Sequence, residues 1–283
     1  EEDMFMKDEY VPVTSFFHTL NLDHYDRSYI SNETPDEYYL HDYYKEVYDT
    51  LGVGFTDDVR HTHMRNTLGI SMLEGFNKWM KAGLKLYGAH ELKQFSLPLI
   101  DGRFDKWTEN NIILGGEISK HEGKTFHFDA TAEFCPVGDD IGQVSVDGNI
   151  DLNFPLLGDT VRLEANGFFH LANPSTFDTR YQSRHFMWDV SDDFSMTKHT
   201  HIEGNLALDR TETRLRFAVD NISDYTYMGT SYSVDSEFRR TGVELTPRQA
   251  SSVNVITAQL FQNLKAGILH WDNIVTFQQT SNE

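Results

Sequence analysis

Phe126-His127-Phe128-Asp129-Ala130-Thr131-Ala132-Glu133-Phe134 is the stretch that decides the fold. Successive side chains of an extended strand point to opposite faces. Phe126, Phe128, Ala130, Ala132 and Phe134 therefore share one face, and His127, Asp129, Thr131 and Glu133 share the other. The next two runs obey the same rule. Val144, Val146, Gly148, Ile150, Leu152 and Phe154 oppose Gln143, Ser145, Asp147, Asn149, Asp151 and Asn153. Val161, Leu163, Ala165, Gly167, Phe169 and Leu171 oppose Arg162, Glu164, Asn166 and His170. Between them, Lys120-His121-Glu122-Gly123 and Pro155-Leu156-Leu157-Gly158-Asp159 carry the Gly and Pro punctuation of hairpins.

The pattern continues outward from this centre. Asn66, Leu68, Ile70 and Met72 alternate with Thr67, Gly69 and Ser71, and Ala82, Leu84 and Leu86 alternate with Lys81, Gly83 and Lys85. Further strands are predicted near 184–190, 197–208, 213–220, 253–263 and 266–278, with a hairpin turn at Asp209-Arg210-Thr211-Glu212. Longer polar connections are predicted at 136–142, 172–181 and 235–250. Residues 1–50 are rich in Tyr, Asp and His. Their short alternating pieces, at Val11-Pro12-Val13 and Phe16-Phe17, read as a strand or two plus loops. No helix of ordinary length and no repeat of fixed period is evident, so the fold class is all-β, antiparallel and meandering.

Composition narrows the function classes. The chain has 283 residues, enough for one large all-β domain. Mean hydropathy is −0.50, and no run approaches the ~18–20 apolar residues of a membrane helix. A membrane strand needs only ~10 residues with every second one apolar, so averaging hides it. Formal net charge is −20, from 44 acidic and 24 basic residues, which argues against a nucleic-acid partner. The single cysteine, Cys135, forms no intrachain disulfide and is expected to be a buried, inert thiol. The sequence opens Glu1-Glu2-Asp3 without a signal peptide, which says nothing about compartment.

Alternation alone does not say where the apolar face points. A soluble sandwich buries it inward, whereas a membrane barrel turns it outward to lipid and keeps a polar lumen. Three details favour the barrel. Val144 to Phe154 spans ~33 Å at 3.3 Å per residue, enough when tilted by ~40° to cover an apolar band of ~25 Å. The stripes contain Gly148, Ala130, Ala132, Ala165 and Gly167, which leave voids in a packed core but are tolerated against fluid lipid. Aromatics mark the stripe ends at Phe126, Phe134, Phe154 and Phe169, as an interfacial girdle does.

Several stretches resemble the putative porin family of the Bacteroidota. They are Pro12-Val13-Thr14-Ser15, Arg65-Asn66-Thr67-Leu68-Gly69-Ile70-Ser71 with Glu74-Gly75-Phe76-Asn77-Lys78-Trp79, Gly115-Gly116-Glu117-Ile118-Ser119-Lys120 with Gly123-Lys124, Tyr181-Gln182-Ser183-Arg184-His185-Phe186-Met187-Trp188-Asp189 and Gly267-Ile268-Leu269-His270-Trp271-Asp272-Asn273. The resemblance spans nearly the whole sequence. It implies outer-membrane location, an antiparallel up-and-down transmembrane barrel of one domain over 1–283 that continues beyond both ends, and diffusive transport without catalytic residues. The chain departs from a complete member in lacking a terminal aromatic strand. Thr280-Ser281-Asn282-Glu283 read as hairpin or loop.

Other chemistry is weakly signalled. His61-x-His63 and His199-x-His201 each place two imidazoles on one strand face, with Glu203 two residues on. That spacing suits a metal site on a sheet, but it fixes no four-ligand geometry, and no metal or cofactor is expected. Asp147 and Asp151 lie among Gln, Ser and Asn as a solvated wall does, so no acid–base role is assigned. Gly115-Gly116 lacks the Lys-Ser/Thr and the helix of a phosphate loop. Asn32-Glu33-Thr34 and Asn221-Ile222-Ser223 match the glycosylation pattern at chance level.

In the barrel reading the pore lining is His127, Asp129, Glu133, Asp147, Asp151, Arg162, Glu164, His170, Glu203, Arg214 and Arg216. Its carboxylates outnumber its guanidinium groups, which predicts a weak cation preference. The expected contacts are outer-membrane lipid, lipopolysaccharide and small polar solutes, with homo-oligomer formation left open. Two alternatives stand beside the channel: a soluble secreted sandwich that binds a glycan on exposed Tyr and Trp, and a structural barrel plugged by its own loops.

Overall fold

The computed structural model describes residues 14–29, 38–43, 57–74, 81–99, 101, 103–156 and 159–282. Eleven strands form one antiparallel sheet in which each pairs with the next. They are β1 (Thr14–Tyr29), β2 (Asp57–Met72), β3 (Gly83–Pro98), β4 (Phe104–Lys120), β5 (Phe126–Gly138), β6 (Val144–Leu156), β7 (Asp159–Ala172), β10 (Thr197–Leu208), β11 (Thr213–Val234), β12 (Arg240–Ala266) and β13 (Leu269–Asn282). Between β7 and β10 lie a one-turn helix, α1 (Thr176–Thr179), and a separate two-stranded ladder, β8 (Arg180–Gln182) with β9 (Met187–Asp189). The chain is a meander, and among the described residues the sheet stays open at β1 and β13.

Register is set by the period-2 pattern, because a one-residue slip would move every side chain to the wrong face. Ala130 pairs with Gly148 and Gly148 with Gly167, while Asp129 pairs with Asn149 and Asn149 with Asn166. Apolar rows meet apolar rows across strand after strand. The apolar face is open to its surroundings: Phe16 is 80% exposed, Leu68 66%, Ile202 65%, Phe277 59% and Leu114 54%. All these residues lie on one face, which registers carry unbroken from β1 to β13. A sandwich would bury this band under a second sheet; the one other ladder among the described residues, β8–β9, packs over the opposite face.

The sheet curls toward its polar face. Arg65 on β2 reaches Glu133 on β5 at 2.6 Å, and the Tyr87 hydroxyl on β3 donates to the same carboxylate at 2.7 Å. Flat strands ~4.8 Å apart would hold β2 and β5 about 14 Å apart, with side chains rising side by side. Close approach of the Tyr87 ring depends on Gly115. A Cβ there would lie 2.3 Å from the ring.

Connections at the two ends differ in length. At one end the chain turns between Met72 and Gly83, Lys120 and Phe126, Leu156 and Asp159, Leu208 and Thr213, and Ala266 and Leu269. At the other it runs from Tyr29 to Asp57 and from Ala172 to Thr197, with shorter links after Pro98, Gly138 and Val234. At this second end β11 and β12 continue past their neighbours as a two-stranded ribbon, paired from Tyr225↔Ala250 to Val234↔Arg240.

Several sequence expectations need correction. Residues 184–190 form no wall strand, because the chain there folds back on itself as β8 and β9. The connection expected at 235–250 shrinks to 235–239, and β11 runs well beyond residue 220. The ribbon has Tyr and Thr on exposed faces and so lacks a one-sided apolar stripe. Phe16-Phe17 opens a full strand of 16 residues. The 136–142 connection begins only after Gly138, and the 172–181 connection extends to 196. Thr280 to Asn282 continue β13 against Val255 to Val253 where a loop was expected. The piece at Val11-Pro12-Val13 lies outside the described residues. Cys135 is 3% exposed and its thiol donates to the Val137 carbonyl at 3.5 Å, the buried position expected of it.

Candidate pore lining

The strand pattern brings every predicted lining residue to the polar, concave face. His127, Asp151 and Glu164 form one cross-strand row, and Asp129 stands beside Asn149, which donates to it at 2.9 Å. Asp151 accepts from the Asn153 side-chain amide at 2.5 Å, and Arg162 donates to that amide's Oδ1 at 3.3 Å. His170 meets Asp147 at 3.0 Å, and Asp147 also accepts from Ser145 at 2.9 Å. Glu203 is held by Arg216 at 2.5 Å and by Asn205 at 2.7 Å. Arg214 lies over the Phe261 ring at 4.4 Å, and the His127 imidazole meets the Gly123 carbonyl at 3.1 Å.

The two His-x-His pairs separate in role. His199 and His201 both meet one oxygen of Asp220, at 3.0 and 2.8 Å. His63 meets Glu91 at 2.8 Å, while His61 stacks on Phe95 with centroids 4.5 Å apart. Among the described residues no group of three or more His, Cys, Asp or Glu side chains is arranged to hold a metal ion. Changing His199 and His201 together to Asn is expected to leave the barrel folded and its conductance unchanged, at a cost of about 1–2 kcal/mol for the two lost contacts with Asp220. Stoichiometric zinc in the purified protein, lost in the double variant, would refute this.

Sequence reading missed a second cluster. Lys93 contacts Asp140 at 2.5 Å and Glu91 at 3.5 Å, and the Asn111 amide donates to both carboxylates, at 2.7 and 3.2 Å. Asn111 is 1% exposed. Glu91, Lys93 and Asn111 occupy odd positions of β3 and β4, so extending the alternation from Lys85 along β3 would have marked their face. Asp140, on the turn after β5, gave no periodic signal.

Residues 173–196 also escaped the sequence reading, since they bend inward over the polar face. Tyr181 packs with Val59 and Leu97 in a small apolar core flanked by Trp107, Phe177, Phe186 and Trp188. Burial under this segment leaves Leu97 only 1% exposed. Arg180 pairs with Asp105 at 2.6 Å and covers the Trp107 ring at 4.5 Å, Thr176 donates to Glu109 at 3.3 Å, and Asn173 donates to Asp140 at 3.1 Å. Burial pushes both the Tyr181 phenol and the Asp178 carboxyl above their ordinary ranges. The segment thus lies against the β2–β4 wall.

An antiparallel meander with an apolar band on its convex face and a carboxylate-rich concave face has the architecture of a transmembrane β-barrel wall. The family described as Putative porin matches residues 3–283, and the chain belongs to it. Membership supports a porin-like outer-membrane channel in general terms. No curated protein and no solved structure matches the chain.

Proposed function

We propose that this chain forms the wall of a passive channel that lets small polar solutes cross the outer membrane, with a modest preference for cations and no chemical step. The observation that carries this reading is the facing of the sheet: exposed apolar side chains on all eleven strands outside, and hydrogen-bonded carboxylates inside. Lipid and lipopolysaccharide are the contacts we assign to the convex face. The end with the longer connections is taken as external, since outer-membrane barrels keep short turns on the periplasmic side.

The cation preference follows from Asp129, Glu133, Asp147, Asp151, Glu164 and Glu203 set against Arg162, Arg214 and Arg216, with Asp220, Glu91, Glu109 and Glu117 adding to the acidic side and Arg65, Lys85 and Lys93 to the basic side. Ion pairs such as Arg216–Glu203 and Lys93–Asp140 cancel part of the field. With a Debye length of ~10 Å at 0.1 M salt, preference is expected and strict selection is not. Planar-bilayer reversal potentials under a salt gradient test this. The potential should favour cations, more so at low salt, and shift toward zero when Asp147 and Asp151 are both changed to Asn. An anion-selective pore would sink the charge assignment, and absence of any conductance would sink the channel itself.

A further inference from the structure

We infer that residues 173–196 form a displaceable constriction, a hinged strap that narrows the channel when seated against β2–β4 and widens it when released. The inference rests on the channel reading and adds to it the part that sets pore size. Three observations carry it.

The strap lies over the polar face and is anchored by one aromatic cluster centred on Tyr181. Tyr181, 8% exposed, fills the space between Val59 of β2 and Leu97 of β3, and stacks on Trp188 with centroids 4.9 Å apart. Phe177, Phe186 and Trp188 pack around this anchor, Phe177 edge-on to Phe95 at 5.5 Å, and outside this single aromatic cluster the ion pairs that tie the strap down are partly solvated. In the Arg180–Asp105 pair the side chains are 38% and 30% exposed, and in the Arg184–Asp42 pair 39% and 16%. Ion pairs open to water are weakened by salt and hold little on their own.

The seat is imperfectly matched. His61 Nε2 on the wall and Trp188 Nε1 on the strap are buried with no hydrogen-bond partner among the described residues, and Asp57, bonded to the Arg184 backbone N–H of the strap, leaves its Oδ1 unpaired. Asp57 is only 6% exposed. Buried polar groups are nearly always paired, so three orphans on the two sides of one interface weaken docking. Displacement would return all three atoms to water, at the cost of the bond between Asp57 and the Arg184 backbone.

The strap's own framework is slight beside the wall it covers. It contains one helical turn and a ladder of three residue pairs, Arg180↔Asp189, Tyr181↔Trp188 and Gln182↔Met187. The wall strands beneath pair over 13 and 16 positions. Elements with few ladder bonds open at lower free energy than those with many. Asn173-Pro174-Ser175 at one end is the natural hinge. At the other end Ser195 is pinned to Gln249 of β12 by bonds of 3.0 and 2.8 Å, which confines the movement to residues between these points.

Two measurements on the full chain in detergent and in planar bilayers test the strap. Amide hydrogen exchange at 176–190 should be at least roughly tenfold faster than in β3 and β4, and faster again in Tyr181→Ala. Unitary conductance of Tyr181→Ala should rise by about twofold with added flicker, as when the narrowest section of a pore widens. Tyr181→Phe, which keeps the ring but loses the hydroxyl's bonds to Arg27 and Ser183, should lie between wild type and Tyr181→Ala. In a Cys135→Ser background, Asp105→Cys with Arg180→Cys joined by a short bis-maleimide should hold one steady low level. Exchange at 176–190 as slow as in the wall would overturn the proposal, as would a Tyr181→Ala channel with wild-type current. Absence of current in every variant, with fast exchange retained, would overturn the channel reading and leave the hinged strap standing.

Discussion

Ile150→Arg is expected to destabilise the folded barrel by ~2–4 kcal/mol, while Asn149→Arg is expected to be nearly neutral. The two positions are adjacent on β6 and differ only in the face they present. Ile150 is 42% exposed on the convex face, between Phe128 on β5 and Ala165 on β7. A guanidinium there would stand in hydrocarbon near mid-strand. Asn149 already donates to Asp129 on the concave face, so an arginine would replace an amide donor with a charged one in water. Urea or guanidinium unfolding in lipid vesicles reads the difference. Equal effects at the two positions would undo the assignment of faces.

Gly138→Ala is expected to cost about 2–4 kcal/mol, although it adds a single methyl group. Gly138 ends β5 with φ +130, a backbone conformation that side chains rarely adopt, and a Cβ there would lie 2.1 Å from the Asn110 carbonyl oxygen. The pairing of β4 with β5 shifts register just before it, between Ile112 and Leu114. The same turn presents Asp140 to Lys93, so the variant should also loosen the charge cluster on the channel wall. The measurement is again unfolding in vesicles, with Gly123→Ala as comparison. Gly123 also has positive φ, at +114, but nothing lies within 4 Å of its would-be Cβ. If both variants lose the same stability, backbone strain alone explains the effect and the clash with Asn110 is irrelevant.

Much of the wall was legible because a membrane strand must repeat one rule at every second residue. β5, β6, β7 and β10 were bounded to within a few positions, and the facing of Asp147 against Ile150 needed no further information. The rule fails where both sides of a strand meet water. The β11–β12 ribbon therefore looked like a loop, with Tyr225, Tyr227 and Tyr232 exposed and no stripe to show a strand. It fails again where a segment packs inward. Residues 184–190 read as strand because they favour extended structure, and Tyr181 fell in a connection, while the surface the segment covers lies more than 80 positions earlier, at Val59 and Leu97. Ion pairs such as Arg65–Glu133 join residues far apart in the chain and follow from curvature, which no local spacing encodes.

Strict up-and-down order has a consequence for parity. In a meander each strand reverses the one before it, so β1 and β13, as first and last of eleven, point the same way. Joined edge to edge they would make a single parallel seam in an otherwise antiparallel wall. Inside a bilayer neither edge can stay bare, since unpaired N–H and C=O groups find no water there. A closed, wholly antiparallel ring that includes these strands therefore needs an odd number of additional strands between β13 and β1, bringing the total to an even number.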